Sequence, residues 1–427
     1  MEERSEARGP AGSGGAAAQP SRASVRLRGL RQAARLLLAA WLVVLVGLTL
    51  VPVPSSGDPD EPMSRTCLIC GDRGTADALL NLAFFVPLGL ALAHRRRGVV
   101  EALLLGTLLS ASVELAQTFV PGRYPTFGDV LWNGLGAAVG ALGVRGVARH
   151  LAHPSVWAGL AAATLVGGSV ALGGWLIGPS ATDAPYFGQW TADLGHMPEY
   201  EGTLLSASLD GTPIPNTRFA DAVHARDRLV GPWVIEARVV KGTPPPAVSP
   251  ILSVYDLYEA EILVLGAHGE DLVLRERTRA KALLLDHPDL RLPGALGRFD
   301  VGDTLTIGAR SLGHERCLSV AGTETCGLGF TPGRTWSLLL YLEGPSERTR
   351  TVIDALWLMT LLFAAGTAAT SARSLLANGS VVVALVGASV LLTRLVAPPP
   401  WEIAAALAGL LLGWAAARTA RRTLIDP

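Results

Sequence analysis

Charged residues are scarce in this sequence. Only 17% of its 427 residues are Asp, Glu, Lys or Arg, against 49% apolar ones, and that balance excludes an ordinary soluble chain of this size. Cysteine is sparser still, with four residues. Cys67-x-x-Cys70 has the spacing of zinc and redox sites, but a zinc site would want a second pair and none is present; a disulfide and free thiols both stay open. Cys317 and Cys326 are spaced for a bridge across a β-hairpin. No Ser-His, metal or phosphate-loop constellation can be found, which argues against the familiar catalytic classes, and no metal or cofactor is expected. Formal net charge is zero, and no nucleic-acid partner is expected. No small-residue cleavage site follows the first apolar run, so that run reads as an anchor rather than a signal peptide.

What the sequence has instead is apolar runs. A bilayer core about 30 Å thick needs roughly 20 apolar residues per helix, and eight stretches approach that length: 36–53, 78–93, 99–120, 130–144, 157–178, 352–372, 381–397 and 403–417. The excess of arginine in cytoplasmic segments sets their direction. Arg22, Arg26, Arg28, Arg31 and Arg35 put the N-terminus inside. Three further clusters then fall inside: Arg95 to Arg97, Arg145 with Arg149 and His150, and Arg418 with Arg421 and Arg422. This orientation leaves all four cysteines and the long segment between the fifth and sixth spans outside, where disulfides persist.

The chain therefore divides into a disordered cytoplasmic arm (1–30), a four-helix membrane domain (31–150), a fifth span (151–179), an extracytoplasmic segment (180–348) and three closing spans (349–427). Within 180–348 the period changes to two. Trp233, Ile235, Ala237 and Val239 alternate as in a half-buried strand, and 262–265, 272–277, 304–309 and 336–342 look similar. Many short strands separated by turn chemistry predict a β-sandwich. The expected fold is thus a multi-pass α-helical membrane protein of about eight helices with an inserted, jelly-roll-like β-sandwich.

Two helix starts carry the same polar pair. Asp77 precedes Asn81, and Asp129 precedes Asn133, by four residues each, so each pair shares a helix face. Both aspartates also stand where a helix dipole favours an acid, so capping is an alternative role. Between them, Thr107, Ser110, Glu114 and Gln117 make a polar stripe that faces protein or water rather than lipid. At 1.5 Å per residue Glu114 lies about 9 Å below Val120 and Asn81 about 6 Å below Asp77, a common depth in the outer leaflet. The loop after the third span adds Arg123. The expected site is an outward-open pocket walled by Asp77, Asn81, Glu114, Gln117, Arg123, Asp129 and Asn133. The rival reading is interhelical glue, at about 1 kcal/mol per group. Gly134, Gly136 and Gly140 follow no strand, and read as a close-packing helix face rather than a nucleotide loop.

Residues 65–145 resemble the VanZ-like family. The resemblance lies in Asp77, Asn81 and Phe85-Val86-Pro87-Leu88-Gly89, then Glu114, Gln117 and Pro121-Gly122-Arg123, then Asp129, Asn133, Gly134, Gly136 and Gly140. It implies a bacterial membrane protein associated with resistance to glycopeptide antibiotics of the teicoplanin type. The segment 180–348 is similar to laminin-G and concanavalin-like sandwiches in its strand order.

Function is expected to be non-catalytic binding at the cell envelope, of a lipid-linked peptidoglycan precursor or a glycopeptide antibiotic, with a glycan or partner bound by the sandwich. One alternative is an enzyme using Glu114 with Asp77 or Asp129 as acid and base; another is a membrane platform for the sandwich. Trp190, Tyr200, Trp233, Tyr255 and Tyr258 are candidates for sugar stacking, with a core role favoured. Asp354 and Glu402 are expected at membrane interfaces.

Overall fold

The computed structural model describes residues 22–52, 64–94, 97–192, 194, 197–313, 315–340 and 346–425. Residues 1–21 of the N-terminal arm, the side chains of the first arginine cluster, Arg95, Arg96 and residues 53–63 lie outside this description. The first helix, α1 (Arg22–Thr49), forms a unit by itself, with a described apolar stretch at Leu38–Thr49.

The helices α2 (Gly74–His94), α3 (Val99–Gln117), α4 (Phe127–Ala152) and α5 (Val156–Leu176) follow. A short helix, α6 (Ala222–Val230), belongs to the β-rich segment, and α7 (Glu347–Thr367), α8 (Ala372–Leu392) and α9 (Pro400–Ile425) close the chain. Apart from α6, each of these seven is long and apolar enough to span a membrane.

Small residues let two of these helices meet backbone to backbone. A Cβ added at Gly136 would collide with the Leu82 carbonyl oxygen, and one at Gly140 with that of Val86. In an apolar solvent, where the hydrophobic effect does not drive helices together, such close approach supplies the packing. α2 and α4 are thereby locked at a fixed height, which sets the relative positions of Asn81 and Asp129.

The structure corrects both ends of the seventh expected span. The span expected at 381–397 begins nine residues earlier, because Ser371 and Ser374 cap one another at the start of α8. Asn378, which looks like a loop residue, is fully buried inside α8 and donates to the Ala365 carbonyl at 3.2 Å. At the other end Leu395 has left the helix to bridge Phe330.

Eleven strands among the described residues form two antiparallel sheets. They are β1 (Tyr186–Trp190), β2 (Thr203–Leu209), β3 (Thr212–Pro213), β4 (Trp233–Val240), β5 (Ser249–Asp256), β6 (Glu261–His268), β7 (Asp271–Glu276), β8 (Leu290–Leu292), β9 (Thr304–Leu312), β10 (Glu315–Val320) and β11 (Thr323–Leu328). One sheet runs β1-β5-β6-β7-β8, the other β11-β10-β9-β4-β2-β3. In β4 the alternation is carried out in space: Trp233, Ile235, Ala237 and Val239 are buried, while the residues between them are exposed. They pack in one core with Ile251, Leu263, Leu265, Leu272 and Leu274 of the opposite sheet. Cys317 and Cys326 are joined across the β10–β11 hairpin.

Over its described part, residues 336–340, the strand expected at 336–342 is not formed. Pro332–Leu338 is a 3-10 helix with Pro332 in its first turn, where the missing N–H costs nothing. Its Trp336 is buried and donates from Nε1 to Asp354 at 2.6 Å. Tertiary contact with α7 therefore overrides an alternation that local pattern alone reads as β.

Candidate binding site

The N-terminus of α4 organises the polar residues. Thr126 is its N-cap: Oγ1 accepts from the Asp129 N–H at 3.2 Å and bonds the Asp129 carboxylate Oδ2 at 2.8 Å. The Thr126 N–H donates to Glu114 Oε2 at 3.2 Å, tying α3 to the same point. Asn81 of α2 donates its side-chain amide to the other oxygen of Asp129. One turn further along, Asn133 donates to Ser110 Oγ at 2.8 Å. Three helices are thus cross-linked around one carboxylate.

Of the seven residues expected to meet, Asn81, Glu114, Asp129 and Asn133 lie in this network. Asp77 is exposed one turn above Asn81 and interacts electrostatically with Asp129, Arg73 and Asp286. Arg123 is half-buried in the α3–α4 loop and interacts with Glu114 through its charge. Gln117 is buried in the last turn of α3. The residue missing from the sequence reading is Thr126. Thr126-Phe127-Gly128-Asp129 has the spacing of a capping box, and that signal would have found it.

The loop carrying Cys67 and Cys70, which are joined in the structure, lies over this helix start. Arg65 and Cys67 accept from the Phe127 and Gly128 N–H groups at 2.9 and 3.1 Å, satisfying donors the helix itself leaves open. Leu68 accepts from Trp132 Nε1 at 2.9 Å.

On the other side of the cluster the sandwich abuts the bundle. The Leu284 carbonyl accepts from the Thr75 and Ala76 N–H groups in the first turn of α2, at 3.2 and 3.3 Å. Leu284 ends a 3-10 helix (Arg279–Leu283) and adopts a left-handed conformation, φ 54°, that turns its carbonyl toward α2. Arg279 donates to the Trp175 carbonyl at 2.9 Å and stacks over the Trp175 ring.

Asp354 and Glu402 are not at an open surface. Each is almost fully buried where α7 and α9 meet the sandwich. Arg334 bonds both oxygens of Asp354 at 3.0 and 2.9 Å, and Glu402 accepts from the Gly333 N–H at 2.9 Å and from the Thr331 hydroxyl. A buried charge needs partners of this kind, and the sequence pattern does not announce them.

Among the aromatic residues considered for stacking, Trp233 and Tyr200 are core. Tyr255 stacks on Phe187 with centroids 5.6 Å apart, and Trp190 is half-buried. Tyr258 alone of the five is exposed, at 80%. Cys317, Glu324 and Cys326 come together, but both sulfurs are in the disulfide and Glu324 pairs with Arg310 at 2.7 Å.

Residues 32–149 match the model of the VanZ/LLP1 family. The match takes in the apolar part of α1, all of α2 and α3, and α4 as far as Arg149, and every residue of the polar cluster lies inside it. The sandwich and α5 to α9 lie outside the VanZ-like segment. No curated protein and no solved structure matches the chain.

Proposed function

We propose that this chain is a non-catalytic envelope-binding protein of the bacterial cytoplasmic membrane, with both termini cytoplasmic and the sandwich extracytoplasmic. In this reading the VanZ-like bundle takes the polar headgroup of an amphiphilic envelope molecule, a lipid-linked peptidoglycan precursor or a glycopeptide antibiotic of the teicoplanin type. The sandwich binds a glycan or a partner protein, as its laminin-G-like resemblance implies. The proposal divides the chain into an arm (1–30), the VanZ-like domain (31–150), a fifth span (151–179), the sandwich (180–348) and three spans (349–427).

One observation carries the reading: amides and carboxylates from α2, α3 and α4 converge at the end of the bundle that faces the sandwich, with Asp77 exposed and Arg123 beside them. Amide and carboxylate groups hydrogen-bond sugar and peptide, and a guanidinium matches phosphate or carboxylate. The test is binding of a labelled lipid-linked precursor to the purified full chain. Arg123→Ala and Asp77→Asn are expected to weaken it. Unchanged affinity in both, with normal folding, rules the reading out. Turnover of the precursor, lost in Glu114→Gln, would move the site to the enzymatic class. A phenotype abolished by removing the sandwich but untouched by the cluster variants would make the bundle a platform.

A further inference from the structure

A cleft of about 450 Å³ lies between the sandwich and the residues that lead into α2. It is lined by other residues than the cluster around Asp129, although Asp77 of that cluster interacts electrostatically with its Arg73 and Asp286. Arg73, Arg277, Lys281, His287 and Tyr258 are among its walls.

The charges in the cleft are unequally engaged. Arg73 is paired with Asp286 at 2.7 Å, and Arg275 with Asp289 and Glu261 at 2.6 and 3.4 Å. Arg277 is half-buried and makes no side-chain hydrogen bond or ion pair among the described residues. Among the described residues Lys281 reaches only the Asp72 carbonyl, at 3.5 Å. His287 is half-buried with Nε2 3.9 Å from Glu261, and its Nδ1 has no hydrogen-bond partner among the described residues. Burial holds this imidazole down to about 3, so it is neutral and still has a hydrogen bond to make. The carboxylates of Asp72 and Glu259 stand at the exposed rim, where water solvates them.

The backbone that carries the two cations is fixed. The Arg277 N–H donates to Ile262 at 2.8 Å and its carbonyl accepts from Ser180 at 3.0 Å, while Lys281 rides on the 3-10 helix docked against α2. Two cations are thus held a few residues apart at the mouth of a half-enclosed space. Leaving an arginine half-buried without an acceptor is costly, and an anion that bonds it removes the cost.

Position identifies the source of that anion. Asp72 and Arg73 immediately precede the first turn of a membrane span, so the cleft lies at the level of the lipid headgroups. We infer that the junction cleft binds the phosphate ester of a membrane lipid headgroup through Arg277 and Lys281, with His287 hydrogen-bonding the headgroup and Tyr258 covering its outer side. The sandwich and the VanZ-like bundle then share a lipid as part of their contact.

The experiment is native mass spectrometry of the full chain released from detergent and titrated with phosphatidylglycerol, with diacylglycerol as the phosphate-free comparison. Wild type is expected to retain phosphatidylglycerol and not diacylglycerol. The double variant Arg277→Ala/Lys281→Ala, and separately Lys281→Glu, are expected to lose about tenfold or more in retention. Asn81→Ala, which alters the other site, is expected to retain the lipid as wild type does, so failure of one reading is told apart from failure of the other. Glycerol 1-phosphate at millimolar concentration is expected not to displace the lipid. Displacement would overturn the headgroup source and assign the site to a soluble phosphate. Wild-type retention by both cleft variants, with melting temperatures unchanged, overturns the site altogether. Should the double variant fail to fold, Lys281→Glu decides alone.

Discussion

Arg73, in the turn that leads into α2, holds Asp286 of the sandwich at 2.7 Å. The aspartate side chain is 5% exposed and the arginine 38%, so the acid is the member that depends on the pair. Removing Arg73 leaves a buried carboxylate short of a cation. Arg73→Ala is expected to lower stability by about 1–2 kcal/mol, and a double-mutant cycle with Asp286→Ala to return a coupling of about 1 kcal/mol. Additive effects in that cycle would show that the ion pair does not join the two parts.

The contact between α2 and α4 predicts a size limit. Gly136→Val or Gly140→Val places side-chain atoms where the Leu82 and Val86 carbonyls lie, and the helices must part. Either change is expected to cost about 1–3 kcal/mol or more, read as loss of folded protein in detergent. Gly143→Ala, on the same helix with open space around it, is expected to be silent.

His287 predicts a pH dependence. Its imidazole is held at about 3 in the folded protein against an ordinary 6.5, so between these values the unfolded chain binds the proton and the folded one does not. Stability therefore falls as pH drops below 6.5 and continues to fall toward 3. Thermal melting between pH 7.5 and 4.5 is expected to show this decline, and His287→Gln to make it shallower. An identical slope in the variant would assign the decline to other groups.

At the α9 junction, Glu402→Ala strips the Gly333 N–H and the Thr331 hydroxyl of their acceptor. Such orphaned groups cost about 1–3 kcal/mol each. Glu402→Gln keeps the shape and one acceptor oxygen, so it is expected to lose less. Melting temperatures of the two variants check the order.

The membrane spans and the sandwich were legible because each is written in a local period. Apolar runs of span length mark the helices, and the alternation at Trp233 to Val239 marks a strand whose one face is buried. The contacts among Asn81, Glu114, Asp129 and Asn133 follow polar groups that helical spacing marks in the sequence, whereas Asp77 stands exposed outside their hydrogen bonds. The misreadings have one kind of cause. Asn378 and Ser374 look like loop residues but are satisfied inside α8, and the residues from Trp336 look like a strand but turn as a 3-10 helix against α7.

Hydrophobic period and the positions of glycine, proline and arginine are properties of neighbours along the chain, and they sufficed for element type and for the pairing of polar groups on one helix. Which partner each buried charge meets depends on residues far apart in sequence. Arg334 and Asp354, Thr331 and Glu402, and Arg73 and Asp286 are brought together only when the sandwich settles onto the helices. Low dielectric at that junction makes each such group costly unless paired, and the pairing is a choice that only the folded arrangement makes.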